Sequence, residues 1–177
     1  HSCRNRHCPK CQQRERAERL ADRQAARLPV EYFHVVFSVP HELAAVALCN
    51  QEVVYEILFR SAAETLRTIA ADPRHLGAEI GFVAVLHTWG QRLDHHPHLH
   101  CLVPGGGLAP DGSRWVACRH GFFLPVRVLG CLFRGKFLAH LQRAFELGQL
   151  VFHGDLMRLE NAAAFRSLVR RLTRKKW

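Results

Sequence analysis

The chain alternates between stretches of period two and stretches of helical period. YFHVVFSVP at 32–40 is β-branched and aromatic, is bounded by Pro40, and predicts a strand. From 42 to 71 the apolar positions Val54, Ile57, Leu58, Ala62, Leu66 and Ile69 recur at helical spacing, and Asp72-Pro73 ends the pattern. EIGFVAVLHT at 79–88 and HPHLHCLVP at 96–104 predict two further strands joined by WGQRLDH. Gly105 to Gly107 and Asp111-Gly112 are turn signals, and Trp115 to Cys118 adds a short strand. Residues 126–147 predict a second long helix, with Leu129, Phe133, Phe137, Leu138, Leu141 and Phe145 on one side and Gly148 as its stop. Asn161 is placed to cap a last basic helix running to Lys175. Residues 12–28 predict a basic helix that Pro29 closes. The order strand, helix, strand, strand, helix implies an α+β domain: an antiparallel sheet with helices on one face and the other face free for a ligand.

Charge sharpens the picture. The net charge is +10 and the pI about 9.9, which favours a polyanionic partner, nucleic acid first. The charge is clustered: residues 1–27 hold eight Lys/Arg against three acids, and residues 158–177 hold seven against Glu160 alone. No apolar run reaches the ~20 residues of a membrane span, and neither basic stretch has a wide apolar face with aromatic anchors. The chain opens on His1 rather than Met and stops at Trp177 straight after a basic run, so it is expected to be a piece of a longer protein.

Two clusters carry candidate chemistry. Seven cysteines, three of them within residues 3–11, suit one metal cluster in a reducing cytosol better than a disulfide framework. Cys3, Cys8 and Cys11 supply three of the four ligands a structural zinc needs, with His1 or His7 as candidates for the fourth. The competing reading is a redox CxxC, but no predicted strand precedes Cys8. The second cluster is His98-Leu99-His100. On a strand both imidazoles project to one face. If the strands at 79–88 and 96–104 form a hairpin with His87 opposite His98, three rings converge and leave coordination positions open. Such a site suits a divalent ion acting as Lewis acid on a phosphate. A lone His-x-His is ordinarily core or surface histidine; the third His at hairpin distance separates this one from that background. Asp94, His95 and His96 fall in the loop as weaker candidates, and His34, His41, His75, His120, His140 and His153 have no partner at useful spacing. A two-metal hydrolase is disfavoured, because Asp94 precedes the histidines and no Asp-His pair follows them.

CRNRHCPKCQ, YFHVVFSVPHEL and VLHTWGQRLDHHPHLHCLVPGGGL, in that order, resemble the insertion sequence 91 family of transposases, of the HUH endonuclease superfamily. The resemblance implies a ferredoxin-like HUH palm preceded by a zinc-binding knuckle. It implies residues 1–28 as the later part of a zinc-binding segment plus basic helix, and 29–177 as an HUH-type catalytic domain that stops before its tyrosine helix. It also implies rolling-circle-like transposition. The HUH histidines would hold Mg²⁺ or Mn²⁺, and a tyrosine would cut single-stranded DNA at the transposon ends and stay joined to the 5′ phosphate. By position, His98 and His100 match the HUH pair, His87 the third ligand, and Cys3, Cys8 and Cys11 the zinc segment. Two departures matter: family members carry paired tyrosines after the HUH strand, whereas Tyr32 and Tyr55 both precede it and are the only tyrosines here, and the N-terminal segment lacks the earlier cysteines expected of the zinc-binding segment. Tyr55 is retained as an upstream candidate nucleophile, and this piece of the chain is expected to be inactive by itself although its parent is an enzyme. Candidate DNA contacts are Arg4, Arg6, Lys10, Trp89, Arg92, Arg170, Arg171, Arg174, Lys175 and Lys176, in a bacterial, nucleoid-associated cytoplasmic protein. Trp89 and Trp115 are the two indoles considered for base stacking, with Trp115 assigned instead to the sheet edge. The alternatives are a zinc- and DNA-binding module without chemistry and an inactive remnant.

Overall fold

The computed structural model describes residues 8–25, 27–90 and 94–177. The chain divides into two compact units, His1–Val30 and Glu31–Trp177. In the first, helix α1 spans Pro9–Ala25. Proline is tolerated at a first helical position because that amide has no intrahelical partner to lose. The helix therefore begins ahead of the predicted residue 12 and takes in Lys10 and Cys11. Cys3, Arg4, Arg6 and the candidate fourth ligands His1 and His7 lie outside the described residues, as does Arg92.

The second unit begins with strand β1 (Tyr32–Ser38), a short 3₁₀ turn at His41–Leu43, and helices α2 (Ala44–Cys49) and α3 (Gln51–Ala71). The single helix predicted over 42–71 is thus broken at Asn50, whose backbone sits at φ −129°, ψ 47°. The buried Asn50 carboxamide donates to the carbonyls of Val46 and Val151, both at 2.9 Å, and accepts from the Val151 amide at 2.7 Å. Bonds to a segment about a hundred residues downstream hold this corner, so no local pattern announces it.

Strands β2 (Val83–Trp89) and β3 (His95–Pro104) follow, then a two-stranded ribbon of β4 (Gly106–Leu108) and β5 (Trp115–Ala117). The strand predicted from 79 starts at Val83 because the Glu79 backbone is engaged elsewhere: its amide donates to the Leu108 carbonyl at 2.8 Å and its carbonyl accepts from the Leu108 amide at 2.9 Å. A side chain at Gly107 would collide with the Glu79 carbonyl, so glycine is what lets these two backbones approach.

Helix α4 (Val126–Glu146) stops at Gly148, which takes the left-handed φ of +67°. A 3₁₀ turn, Gly154–Glu160, leads to helix α5 (Ala162–Thr173). The Asn161 side chain caps α5 by accepting from the amides of Ala163 and Ala164, at 2.9 and 3.2 Å. Asn161→Ala should therefore lower unfolding free energy by about 1 kcal/mol, and Asn161→Asp by only a few tenths. Urea titration checks this, and equal stability of all three proteins would show an idle cap.

The main sheet is antiparallel, in the order β1-β3-β2, with β3 in the centre. Strand alternation sorts its residues by face. Leu99, Cys101 and Val103 are fully buried on the helix side, where Phe37 of β1 meets Phe133 of α4 at a centroid distance of 4.8 Å. On the other face Val36, Val85 and Leu102 are 47%, 51% and 49% exposed, so among the described residues nothing in this unit covers them. The helices therefore lie on one face, as the order of elements predicts. Among the described residues no helix is long and apolar enough to cross a membrane.

Candidate metal centre

The open face of β3 carries the site. Leu99, fully buried, anchors the strand to the helices and thereby turns His98 and His100 together to the opposite side. The β2–β3 register puts His87 directly across from His98. Ligand-capable nitrogens of His87, His98 and His100 all lie within 4.8 Å of one another. The ring centroids are 4.3 Å apart for His87–His100, 4.9 Å for His98–His100 and 5.5 Å for His87–His98.

Hydrogen bonds orient two of these rings. The Nδ1 of His98 lies 2.7 Å from the His96 carbonyl, which can only accept. Nδ1 therefore carries the proton and Nε2 presents its lone pair. The Nδ1 of His100 lies 2.6 Å from Nε2 of His34, and the two ring centroids are 4.8 Å apart with an interplanar angle of 10°. Burial, and after it the neighbouring His87, His98 and His34, push the His100 imidazole below the ordinary histidine pKa and keep it neutral at pH 7. Among the described residues the cluster has imidazoles and no carboxylate. Three imidazole nitrogen donors with open positions fit a first-row divalent ion, with oxygen ligands completing the shell.

The remaining candidates are distributed as follows. Tyr55 is not brought to the trio. Its hydroxyl donates to His95 Nε2 at 3.0 Å, while His95 Nδ1 donates to the Ala44 carbonyl at 3.1 Å, so the phenol sits on the helix side of the sheet. Burial also raises its pKa, which disfavours the phenolate. Tyr32 pairs with Pro104, at the end of β1 remote from the Ser38–His98 pairing. His95 and His96 are strand residues, not loop residues, and the His96 ring lies 5.5 Å from His98.

Three histidines read as partnerless from the sequence have partners. One is His34. Another is His120, whose Nδ1 lies 3.5 Å from the Glu31 carboxylate. The third is His140, whose Nε2 lies 3.2 Å from Glu64 beside Lys136; hydrogen bonding from Arg60 first, then from Lys136 and His140, holds the Glu64 carboxyl pKa at about 2. His34 escaped notice because its partner sits 66 residues away on a strand whose pairing with β1 is a tertiary choice.

Trp89 lies at the end of β2, past a register shift, and is 62% exposed. The Trp115 indole lies against Gly106 in the ribbon. Arg170 and Arg171 project from the outer side of α5, opposite buried Phe165, Leu168 and Leu172, and Arg174, Lys175 and Lys176 are exposed beyond it. Lys175 is engaged, with Nζ 2.5 Å from Glu42.

Residues 81–177 match the family model described as "Putative transposase", and residues 1–39 match that of a transposase zinc-binding domain. The "Putative transposase y4qJ" of Sinorhizobium fredii (strain NBRC 101917 / NGR234) is 61% identical over 176 residues, 99% of this chain and 44% of its own. The transposase for insertion sequence element IS801 of Pseudomonas savastanoi pv. phaseolicola is 35% identical over 112 residues, 63% of this chain and 26% of its own. The chain thus spans less than half the length of either relative.

Among solved structures, the conjugative relaxase TrwC in complex with oriT DNA, copper-bound, aligns with a TM-score of 0.50 and 21% identity over 70% of this chain and 45% of that one. TrwC complexed with a 27-mer DNA comprising the recognition hairpin and the cleavage site aligns with a TM-score of 0.50 and 21% identity over 69% and 47%. At that identity the likeness speaks for the fold, an HUH-type palm. The three-stranded core, the histidine trio on its open face and both family matches agree: the chain belongs to the insertion sequence 91 family of transposases.

Proposed function

We propose that residues 29–177 form the metal-binding core of a transposase that nicks single-stranded DNA, and that residues 1–28 belong to a zinc-binding segment. The observation that carries this reading is the convergence of His87, His98 and His100 on the uncovered face of the sheet. A divalent ion there, Mg²⁺ or Mn²⁺, supplies charge stabilisation to a phosphate. An all-imidazole donor set favours Mn²⁺ of the two, since Mg²⁺ prefers oxygen ligands. The residues that would hold the ion are His87, His98 and His100; His98 would offer Nε2, with its Nδ1 proton on the His96 carbonyl, and His100 would offer Nε2, with its Nδ1 toward His34. Zinc at Cys3, Cys8 and Cys11 is the matching proposal for the N-terminal segment, supported by the family match over residues 1–39.

The phenol that forms the 5′-phosphotyrosine is not among these 177 residues, because Tyr55 faces away from the trio and Tyr32 is remote from it. DNA approaches the open face past Trp89, a stacking platform worth ~1–3 kcal/mol per base, with Arg170, Arg171, Arg174 and Lys176 providing phosphate contacts. Such a protein works on DNA in the bacterial cytoplasm, at the nucleoid.

The test is a Mn²⁺ titration followed by electron paramagnetic resonance, with single-strand DNA binding measured in parallel. Mn²⁺ held by imidazole nitrogen, and single-strand affinity falling by ~0.7 log units per phosphate contact for each log unit of salt, are the expected results. DNA binding with no imidazole-bound Mn²⁺ would leave a DNA-binding module without chemistry.

A further inference from the structure

We propose that His34 is a positioning residue: it fixes the tautomer of His100 so that Nε2 is left without a proton and free to bind a metal. The inference rests on the metal-centre reading for its purpose, but not for its geometry. A neutral imidazole carries one proton, and which nitrogen holds it decides which nitrogen can bind a metal. His98 is settled by the His96 carbonyl. Among the described residues no carbonyl does the same for His100. What it has is Nε2 of His34 at 2.6 Å from its Nδ1, a contact that must contain one proton between two nitrogens.

Two arrangements satisfy that contact. With the proton on Nδ1 of His100, His34 accepts and His100 Nε2 is bare, pointing away from His34. With the proton on Nε2 of His34, His100 accepts through Nδ1 and its own Nε2 carries a proton, which closes it to a metal. Only the first arrangement leaves a trio of bare nitrogens. It requires His34 to be protonated on Nδ1.

The strands explain why His34 is available. The β1–β3 register sets His34 against Leu102 and Val36 against His100, so His34 and His100 are diagonal neighbours on one face. The ring planes differ by only 10°, and a 2.6 Å nitrogen contact at a centroid distance of 4.8 Å sets the two rings edge to edge, so the contact lies in plane. An outer-shell partner of this kind commonly changes metal affinity by ~10–100-fold. His34 is itself exposed and contributes nothing to the buried core, so its replacement leaves the fold in place.

Three variants separate the possible roles. His34→Ala removes acceptor and ring. His34→Phe keeps an aromatic ring but removes the acceptor. His34→Gln puts a carbonyl oxygen at the same number of bonds from the backbone as Nε2. Long-range ¹H–¹⁵N correlation on metal-free protein labelled at histidine nitrogens reads the His100 tautomer directly, and Mn²⁺ titration reads affinity.

The expected result is Nδ1–H at His100 in the unaltered protein and in His34→Gln, with a shift toward Nε2–H in His34→Ala and His34→Phe. Mn²⁺ affinity should fall ~10–100-fold in the last two and recover in His34→Gln. A His100 tautomer unchanged in His34→Ala and His34→Phe would overturn the proposal, as would a fourth imidazole, from His34, in the Mn²⁺ shell. If the tautomer shifts as expected but even the unaltered protein takes up no Mn²⁺, the role of His34 stands and the metal-centre reading fails.

Discussion

His98→Ala is expected to lower Mn²⁺ affinity by about 100-fold or more, the upper end of what even outer-shell changes produce, and to leave thermal stability within a degree or two. His98 is the hinge of the trio. It stands opposite His87 in the β2–β3 register, shares a face with His100, and is held through Nδ1 by the His96 carbonyl. Its imidazole lies on the uncovered face, so truncation removes a ligand without opening a core cavity. His87→Ala and His100→Ala should behave alike, because each leaves only two nitrogens to share the ion. His75→Ala, at an exposed histidine outside the trio, is the control and should bind as the unaltered protein does. Isothermal titration with Mn²⁺ decides it. Equal affinity in His98→Ala and His75→Ala would mean that the three rings do not act as one site.

Phe137→Ala should remove about 3–5 kcal/mol of stability. That is a third or more of the total for many domains of this size. The side chain is fully buried on α4, with ring centroids 5.9 Å from Phe133 and 5.5 Å from Trp177. Phe133 in turn meets Phe37 on β1, so Phe137 belongs to the layer that joins the helix to the sheet. Its removal leaves a void that close-packed neighbours refill only partly. The denaturation midpoint should drop while the slope against denaturant stays constant, since the same surface is exposed on unfolding. A loss below about 1 kcal/mol would show that α4 is not a main support of the sheet. A smaller Mn²⁺ response in the folded variant than in His98→Ala would separate scaffold from site.

Much of this protein is written in local pattern. Strand alternation around His98-Leu99-His100 dictates that the two imidazoles share a face, because backbone pleat alone imposes period two. Helical spacing marks α3 and α4, and the caps at Gly148 and Asn161 are settled by backbone conformation and by side chains within three residues of the bonds they make. Three motifs in order were enough to indicate the family.

What needed the folded chain was every relation between distant residues. The register that sets His87 against His98 was one pairing among several that the loop length permits; the observed one is selected by burying Leu99 and Leu86 together, since a slip of one residue would turn the histidines into the core. Asn50 breaks a helix through bonds to Val151, and Tyr55 is drawn to His95 behind the sheet, away from the trio. His34 gained its partner because β1 lies beside β3 rather than at the far edge. Residue type and spacing decide what each segment can become; only the packing of segments, through buried area and satisfied polar groups, decides which side chains meet.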